Sequence, residues 1–299
     1  MGEMALLPLL RFLAYAARDD EALGLAEGAL LVAEIAHPAL DHAHARRRLD
    51  ALAAAVRAEL GMDDAALLPA DSLALRAAAE RVLAALRTVL AEREGFTGDQ
   101  EDYYDPRNSF LSDVLDRRRG IPITLSVVYL EVARRLGAPL VGVGLPTHFL
   151  AKWPLPPEQG GDLFVDAFDG GALLDLSACR RLALRLRVQG GVGAIFDPTW
   201  LDAVGTRALL TRMLHNLKQI YLQAGETRTA LDAVERLVAL RPDLPEELRD
   251  RGLLLVALGE PLLGTADLAL YAVRRPDAPE LGRLRRRLHE LRELRAKLN

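Results

Sequence analysis

Residues 120–149 read GIPITLSVVYLEVARRLGAPLVGVGLPTHF, a segment that passes from a helical pattern to a strand pattern. Its first half carries apolar residues at steps of three and four, which place one apolar face on a helix. Those positions are Ile121, Leu125, Val128, Val132 and Leu136. Pro122 suits the first helical position, where an N–H would have no intrahelical partner, and Gly137 suits the position after the last turn. The segment therefore predicts a helix over residues 122–136.

Strand patterns begin only after this helix. Short runs rich in β-branched and aromatic residues are separated by turn-forming residues. The runs are Leu140–Val143, Phe149–Trp153 and Leu163–Phe168. Pro146 lies between the first two runs, and residues 154–161, rich in proline and glycine, lie between the last two. A helix followed by three closely spaced strands predicts an α+β fold with a small antiparallel sheet.

One histidine and one aspartate fall at matching places on the predicted sheet. His148 opens the second strand, and Asp166 lies in the third. If those strands pair antiparallel, the imidazole and the carboxylate can meet across the ladder. Such a carboxylate orients the imidazole in a nucleophile–base–orienter triad, whose nucleophile belongs at the N-terminus of the preceding helix. A purely structural pair that joins two strands gives the same spacing, so both interpretations remain open at this point.

Helical patterns flank this central part on both sides. Residues 4–92 are dominated by alanine, leucine and arginine, with apolar residues at helical spacing. From residue 206 the helical pattern returns and repeats, because Arg241-Pro242-Asp243 recurs as Arg275-Pro276-Asp277 and 275 − 241 is 34. A 34-residue period of paired helices is typical of tetratricopeptide repeats. The sequence predicts an N-terminal helical domain (1–94), an α+β core (95–205) and helical repeats with a capping helix from Glu280 (206–299).

Aligning the two repeat copies on their prolines locates the consensus positions of the repeat. Tyr221 and Ala230 take the aromatic and alanine positions of the first copy. In the second copy Gly252 takes the consensus glycine position, whereas Gly264 stands where the consensus has alanine.

The central motifs resemble the transglutaminase-like core, in which a Gly-x-Cys helix start precedes a Leu-Gly-x-Pro turn, a strand histidine and a strand aspartate. The matching residues are Gly120–Ser126, Leu136–Pro139, His148-Phe149 and Val165-Asp166. Setting Gly137 on the family's helix-ending glycine places Pro122 on the nucleophilic cysteine. The resemblance therefore implies a site that keeps the His148 and Asp166 pair but has no thiol.

More narrowly, the chain resembles the SirB-type bacterial proteins, which join a transglutaminase-like domain to C-terminal tetratricopeptide repeats. The resemblance covers residues 25–280 and is carried by Glu101–Ser109, Arg118–Pro122 and Pro146–Phe149. Two positions depart from the family pattern. Thr147 stands where glycine usually precedes the histidine, and Ala167 stands where proline commonly follows the aspartate. Both departures are expected to reshape the pocket mouth without removing a charged group.

A polar, glycine-bearing loop over residues 95–106 contains the adjacent Tyr103 and Tyr104. These tyrosines either line a binding cleft or pack the loop onto the domain. The first interpretation is considered because exposed loops carry function more often than helices do. Asn108 or Ser109 is predicted to cap a short helix that ends at Gly120. We take Tyr103, Tyr104 and Asn108 as candidate binding residues.

Three other residues carry a hydroxyl or thiol group and are considered as alternative nucleophiles. Ser126 shares the helix face of Pro122 but lies roughly 6 Å further along the axis, at ~1.5 Å per residue. A hydrogen bond from Ser126 to its own backbone is the stronger expectation, although the residue stays a candidate binding residue. Thr124 points elsewhere on the helix. Cys179 follows Asp166 by 13 residues (179 − 166) and is expected in another helix.

Composition and charge exclude several classes of protein. The net charge of −4 gives no electrostatic footprint for nucleic acid or for an anionic membrane, and no run of 18 apolar residues suggests a membrane span. A single cysteine excludes an internal disulfide and a thiolate metal cluster, which suits the cytoplasm. His37, His42 and His44 near Asp41 lack the spacing of a metal motif. We therefore predict neither a metal nor a cofactor.

Three functional hypotheses follow. The preferred one is a non-catalytic transglutaminase-like protein with an interaction or regulatory role, which binds a protein or peptide partner through the core cleft or the repeat groove. The second is a weak hydrolase or acyl transferase in which His148, oriented by Asp166, acts as a general base without a protein thiol. The third makes this pair purely structural.

Overall fold

A computed structural model of the chain describes residues 3–61, 75–189, 196–284 and 286. The chain forms two compact units, which are Asp20–Met213, and Met1–Asp19 together with Leu214–Asn299. This division differs from the three predicted domains, whose boundaries stay a prediction. The predicted capping helix lies mostly outside the described residues. Within the described ranges, no helix combines the length and the apolar character needed to cross a bilayer.

The described residues are mainly helical, with short strands concentrated in the middle of the chain. The main helices are α1 (Glu3–Ala16), α2 (Leu25–Ala33), α3 (His42–Glu59), α4 (Leu75–Arg87), α5 (Leu111–Arg117), α6 (Pro122–Leu136), α7 (Leu176–Gln189), α8 (Thr206–Gln223), α9 (Thr227–Leu240), α10 (Pro245–Ala257) and α11 (Pro261–Arg274). The strands are β1 (Thr97–Gly98), β2 (Arg119–Gly120), β3 (Val141–Val143), β4 (Leu150–Trp153), β5 (Leu163–Asp166), β6 (Ala172–Leu174) and β7 (Ala203–Val204).

Helix α6 is the central helix of the unit Asp20–Met213. All of its residues are buried except Arg134 and Arg135 in the last turn. Pro122 occupies the first turn, and Gly137 ends the helix in the left-handed conformation at φ 79°. The predicted helix and both of its end signals are therefore confirmed, because proline and glycine suit these two positions for opposite reasons.

The sheet that packs against α6 has the strand order β6-β5-β4-β3-β7, and every pair in it is antiparallel. The predicted α+β fold with a small antiparallel sheet is confirmed, and β6 and β7 extend it at its two edges. One layer of the core joins sheet residues such as Leu150 and Phe164 to Cys179 and Ala183 of α7. The sheet is thus covered by helices on both faces.

The segment between the tyrosine loop and α6 differs from its prediction. A short helical turn, Pro106–Ser109, begins this segment. Asp105, and not Asn108 or Ser109, caps this turn, because its side chain accepts a hydrogen bond from the Arg107 N–H. The following helix α5 ends at Arg117 and not at Gly120. Strand β2 comes next and pairs in parallel with β1. A two-residue parallel pair leaves no periodic signal in the sequence. The prediction based on helix propensity therefore extended the helix to Gly120.

The second unit contains α1, the end of α8, and α9 to α11. Helix α1 packs against α9 and buries Phe12 and Tyr15 completely. Helices α10 and α11 cross at two glycines. A Cβ atom on Gly264 would lie 2.5 Å from the carbonyl oxygen of Gly252, and one on Gly252 would lie 2.9 Å from that of Gly264. The backbones meet so closely here that neither position has room for a side chain.

Candidate functional site

The structure brings His148 and Asp166 together at one end of the sheet. Ala151 pairs with Val165, so Leu150 stands opposite Asp166 and His148 lies two residues before β4 begins. The imidazole Nε2 lies 2.8 Å from Asp166 Oδ2, and both side chains are more than nine-tenths buried. The predicted contact between the imidazole and the carboxylate is present, and its chemical role stays a prediction.

The Asp166 carboxylate is fixed by the turn that follows β5. Its Oδ1 accepts hydrogen bonds from the backbone N–H groups of Phe168 at 3.1 Å and Asp169 at 3.3 Å. Since the carboxylate engages Nε2, the ring nitrogen that carries no hydrogen bond to the described residues is Nδ1. This arrangement can orient the imidazole.

Aromatic rings connect this pair to the surface. The ring of Phe168 meets His148 edge-on at 6.1 Å between centroids, Tyr103 meets Phe168 at 6.1 Å, and Tyr104 meets Tyr103 at 5.3 Å. Tyr103 is partly buried, and Tyr104 is 67% exposed. The two tyrosines thus belong to the site and also pack the loop onto the core.

Phe168 is held in this series of rings by Gly98 of β1. The Gly98 N–H donates to the Phe168 carbonyl at 3.1 Å, and a Cβ atom on Gly98 would lie 2.5 Å from the Phe168 ring. Only glycine allows the strand and the ring to approach so closely.

Asn108 supports the tyrosine loop from inside. Its side chain is fully buried, donates to the Asp102 carbonyl at 2.7 Å and accepts from Arg117 at 3.2 Å. Arg117 also pairs with Asp99 and Asp105, at 3.4 and 3.3 Å. The polar atoms of Asn108 are therefore engaged within the protein, and its role as a binding residue stays a prediction.

The face of α6 that begins with Pro122 carries buried hydroxyl groups. Ser126 is completely buried, but its hydroxyl makes no hydrogen bond, so the expected bond to its own backbone is wrong. The Tyr129 hydroxyl is likewise buried without a partner. It lies close beneath Gly171, where a Cβ atom would come within 2.6 Å of it. Burial raises the pKa of Tyr129, which keeps this phenol neutral.

Cys179 lies in the core layer between the sheet and α7, where it is fully buried. Burial, together with the nearby charge of Asp166, raises the pKa of Cys179 to about 12. Because the thiolate is the reactive form, this thiol is unsuited to nucleophilic attack near neutral pH.

Arg212 of α8 also belongs to the site, although its position in the sequence lies within the predicted repeats. Its Nη2 donates to the His148 carbonyl at 2.6 Å, and its guanidinium lies 5.6 Å from the centroid of the Phe149 ring. No motif in the sequence indicated this residue. The available signal was an arginine among the buried residues of an amphipathic helix, next to Met213 and one turn after Leu209.

Thr147 adopts a backbone conformation that favours glycine. Its backbone lies in the left-handed region at φ 59°, which β-branched residues rarely adopt, and its side chain is exposed. The strain is therefore placed directly beside His148.

Replacing Thr147 with glycine is expected to raise the free energy of unfolding by about 1 kcal/mol, because glycine adopts a positive φ without strain. Urea unfolding followed by circular dichroism measures the change. The control is Thr147→Ala, which removes the exposed side chain but keeps a Cβ atom, so it should give little of the gain. Equal gains in both variants would attribute the effect to the side chain and contradict this explanation.

His37 and His42 contact carboxylates elsewhere in the same unit. His37 pairs with Asp113 at 2.7 Å, and His42 pairs with Glu34 at 2.9 Å. In the described part of the chain, no three histidine, cysteine, aspartate or glutamate side chains converge as a metal site would require.

Comparison with known proteins finds two family models that match the chain. Residues 43–215 match the transglutaminase-like superfamily, and residues 217–289 match the tetratricopeptide repeat. The chain is 35% identical over 295 residues to a UPF0162 protein of Xylella fastidiosa, covering 97% of each. It is 34% identical over 272 residues to a UPF0162 protein of Pseudomonas aeruginosa, covering 91% of this chain and 92% of that one.

A more distant similarity reaches a much longer protein. F-box only protein 21 of Homo sapiens is 33% identical over 171 residues, which are 54% of this chain and 26% of that protein. No solved structure gives a significant match. The near full-length identity to bacterial relatives and the match over the core lead to one conclusion: this chain belongs to the UPF0162 family, within the transglutaminase-like superfamily.

Proposed function

We propose that this chain is a thiol-less transglutaminase-like protein that binds a protein or peptide partner and forms no covalent intermediate. The partner would bind in the cleft of the core, in the groove of the repeats, or in both. The proposal includes a SirB-type arrangement of domains and a location in the bacterial cytoplasm. The observation that carries it is Pro122 at the start of α6, together with a retained pair of His148 and Asp166.

The chemistry of the candidate nucleophiles supports this proposal. A proline within the chain has no attacking atom. The Cys179 thiol is buried and its pKa is raised to about 12, so it is protonated near neutral pH. The Ser126 hydroxyl is fully buried and lies one helical turn beyond Pro122. None of these three residues therefore offers a suitable nucleophile.

The repeat region supports a binding role. Residues 217–289 match the tetratricopeptide repeat, a class whose stacked helices present extended concave surfaces to partners. The exposed ring of Tyr104 offers a second contact surface at the core.

One observation favours general-base catalysis as a second candidate function. Asp166 orients the imidazole through Nε2, and Nδ1 carries no hydrogen bond to the described residues. A base held in this way could activate water, and general-base help is worth ~10²–10⁴-fold. The burial of the imidazole argues against this function, since only 8% of His148 is exposed.

The test compares wild type with His148→Ala for turnover of a broad panel of amide and ester substrates. We expect no turnover by either protein, and a loss of roughly 1–3 kcal/mol in His148→Ala because a buried carboxylate loses its partner. The control is His44→Ala, an exposed residue of α3 that should change neither property. Wild-type turnover that disappears in His148→Ala without a loss of stability would overturn the proposal.

Partner binding is tested separately, by panning a random peptide library against the full-length protein. We expect enriched peptides, and those that lose binding in Tyr104→Ala contact the core. A library that yields no binder to the folded protein would contradict the binding half of the proposal.

A further inference from the structure

Arg212 is a charged side chain placed against the His148 end of the sheet. One of its N–H groups donates to the His148 carbonyl, and the guanidinium plane lies near the Phe149 ring. Its charge also lies close enough to Tyr103 to oppose the rise in the pKa of that phenol caused by burial. The side chain is thereby held in one position between the strand and the tyrosine loop.

This guanidinium has no counter-ion in the described part of the chain, where no carboxylate oxygen lies within 4.0 Å of it. The situation differs from that of Arg117, which lies in the same unit and pairs with Asp99 and Asp105. Burial lowers the pKa of Arg212, because removal from water disfavours the charged form. A partly buried cation without a partner gains strongly from an anionic ligand.

The surroundings of Arg212 leave its donors available to such a ligand. Among the described residues, one hydrogen bond is made by its five N–H groups, from Nη2 to the His148 carbonyl. On the Nη1 side, a Cβ atom on Gly144 would come within 3.2 Å of the nitrogen. A side chain at position 144 would therefore cover this nitrogen, and glycine does not.

We propose that Arg212 binds the carboxylate of a peptide partner, and that the neighbouring Tyr103 hydroxyl donates a further hydrogen bond to the same carboxylate. A planar carboxylate matches the paired N–H groups of one arginine, and the aromatic rings of Tyr103 and Tyr104 suit the attached chain. Phosphate is the poorer match. Among the described residues Arg212 is the only cation that contacts His148, and Asp166 already places a negative charge beside the imidazole. The inference rests on the proposed function, because it names the chemistry of the partner.

The test measures binding of defined probes to the full-length protein by isothermal titration calorimetry. The probes are acetyl-Ala-Leu-Ala-Phe with a free C-terminus, the same peptide with a C-terminal amide, acetyl-Ala-Glu-Ala-Phe-amide, succinate and inorganic phosphate. We expect the peptides that carry a carboxylate to bind at least about 10-fold more tightly than the uncharged peptide. Binding of succinate but of no peptide would identify a free small carboxylate as the source and overturn the peptide assignment.

Two variants locate the site. Arg212→Gln should weaken carboxylate binding about 10- to 100-fold, the usual value of hydrogen bonds to a charged group. Arg207→Gln is the matched control, because Arg207 lies on the same helix and pairs with Asp20 instead. Tyr103→Phe keeps the ring and removes the hydroxyl, so it should weaken binding several-fold in a folded protein. If Arg212→Gln does not fold, Tyr103→Phe decides the question.

Three further results would overturn the inference. They are no carboxylate binding by wild type, tighter binding of phosphate than of every carboxylate, and unchanged carboxylate affinity in folded Arg212→Gln or in Tyr103→Phe. These outcomes are separate from failure of the proposed function. Cleavage of the probes by wild type would end the proposal of a non-catalytic protein and leave the carboxylate site intact. Inactivity without carboxylate binding would do the reverse.

Discussion

Replacing Asp166 with alanine is expected to lower the free energy of unfolding by about 3–5 kcal/mol. The buried carboxylate accepts three hydrogen bonds, from the His148 imidazole and from the backbone N–H groups of Phe168 and Asp169. Its removal leaves the buried imidazole and two partly buried N–H groups without this acceptor, and an unsatisfied buried donor costs about 1–3 kcal/mol. Urea unfolding measures the loss, and hydrogen exchange over residues 163–175 reports whether the turn itself opens.

Asp169→Ala is the matched control for this substitution. The Asp169 side chain is exposed, and the residue contributes only its backbone N–H to the turn. We expect a change within about 0.5 kcal/mol, as for most surface positions. Equal effects of the two substitutions would show that the Asp166 carboxylate does not hold the turn.

Replacing Gly264 with alanine is expected to destabilise the repeat region by about 3 kcal/mol or more. The new Cβ atom would lie 2.5 Å from the Gly252 carbonyl oxygen and 2.7 Å from a Val256 methyl group, so α10 and α11 must separate. Overpacking of this kind costs about 1–3 kcal/mol where side chains can adjust, and a backbone oxygen cannot rotate away. Thermal unfolding of the full chain, followed together with hydrogen exchange in α10 and α11, measures the effect.

The control for this substitution is Gly282→Ala. A Cβ atom on Gly282 meets only the far end of a flexible arginine, at 4.0 Å. Because Gly282 lies in a helical turn, alanine should stabilise it by roughly 0.5–1 kcal/mol through helix propensity. A Gly264→Ala protein as stable as wild type would contradict the close crossing of these helices.

Patterns in the sequence predicted those parts of the fold in which the interacting residues lie close together along the chain. Helix α6 follows from its apolar spacing and from Pro122 and Gly137 at its ends. The contact between His148 and Asp166 follows from two short strands and a tight connection between them. In both cases the interacting residues lie within 20 positions of each other, so turns and periodicity specify the geometry.

Contacts between distant segments gave no such signal. Arg212 reaches the His148 carbonyl across 64 residues, and its helix carries the same periodic pattern as the repeats. The pairing of β1 with β2 involves only two residues on each strand. The left-handed backbone of Thr147 is equally hidden, since threonine is the wrong residue for that conformation. Tertiary packing determines these features.

The parallel pairing of β1 with β2 also bears on the order in which the protein folds. Three chain segments must meet for Phe168 to lie against His148: Thr97–Gly98, Arg119–Gly120 and the turn after β5. Contacts of such sequence separation carry a loop-closure cost that local helices do not, so they form late. A partly folded chain can therefore contain α6 before the rings of Phe168 and His148 come into contact. A ligand that contacts those rings would select the fully folded chain and slow its unfolding.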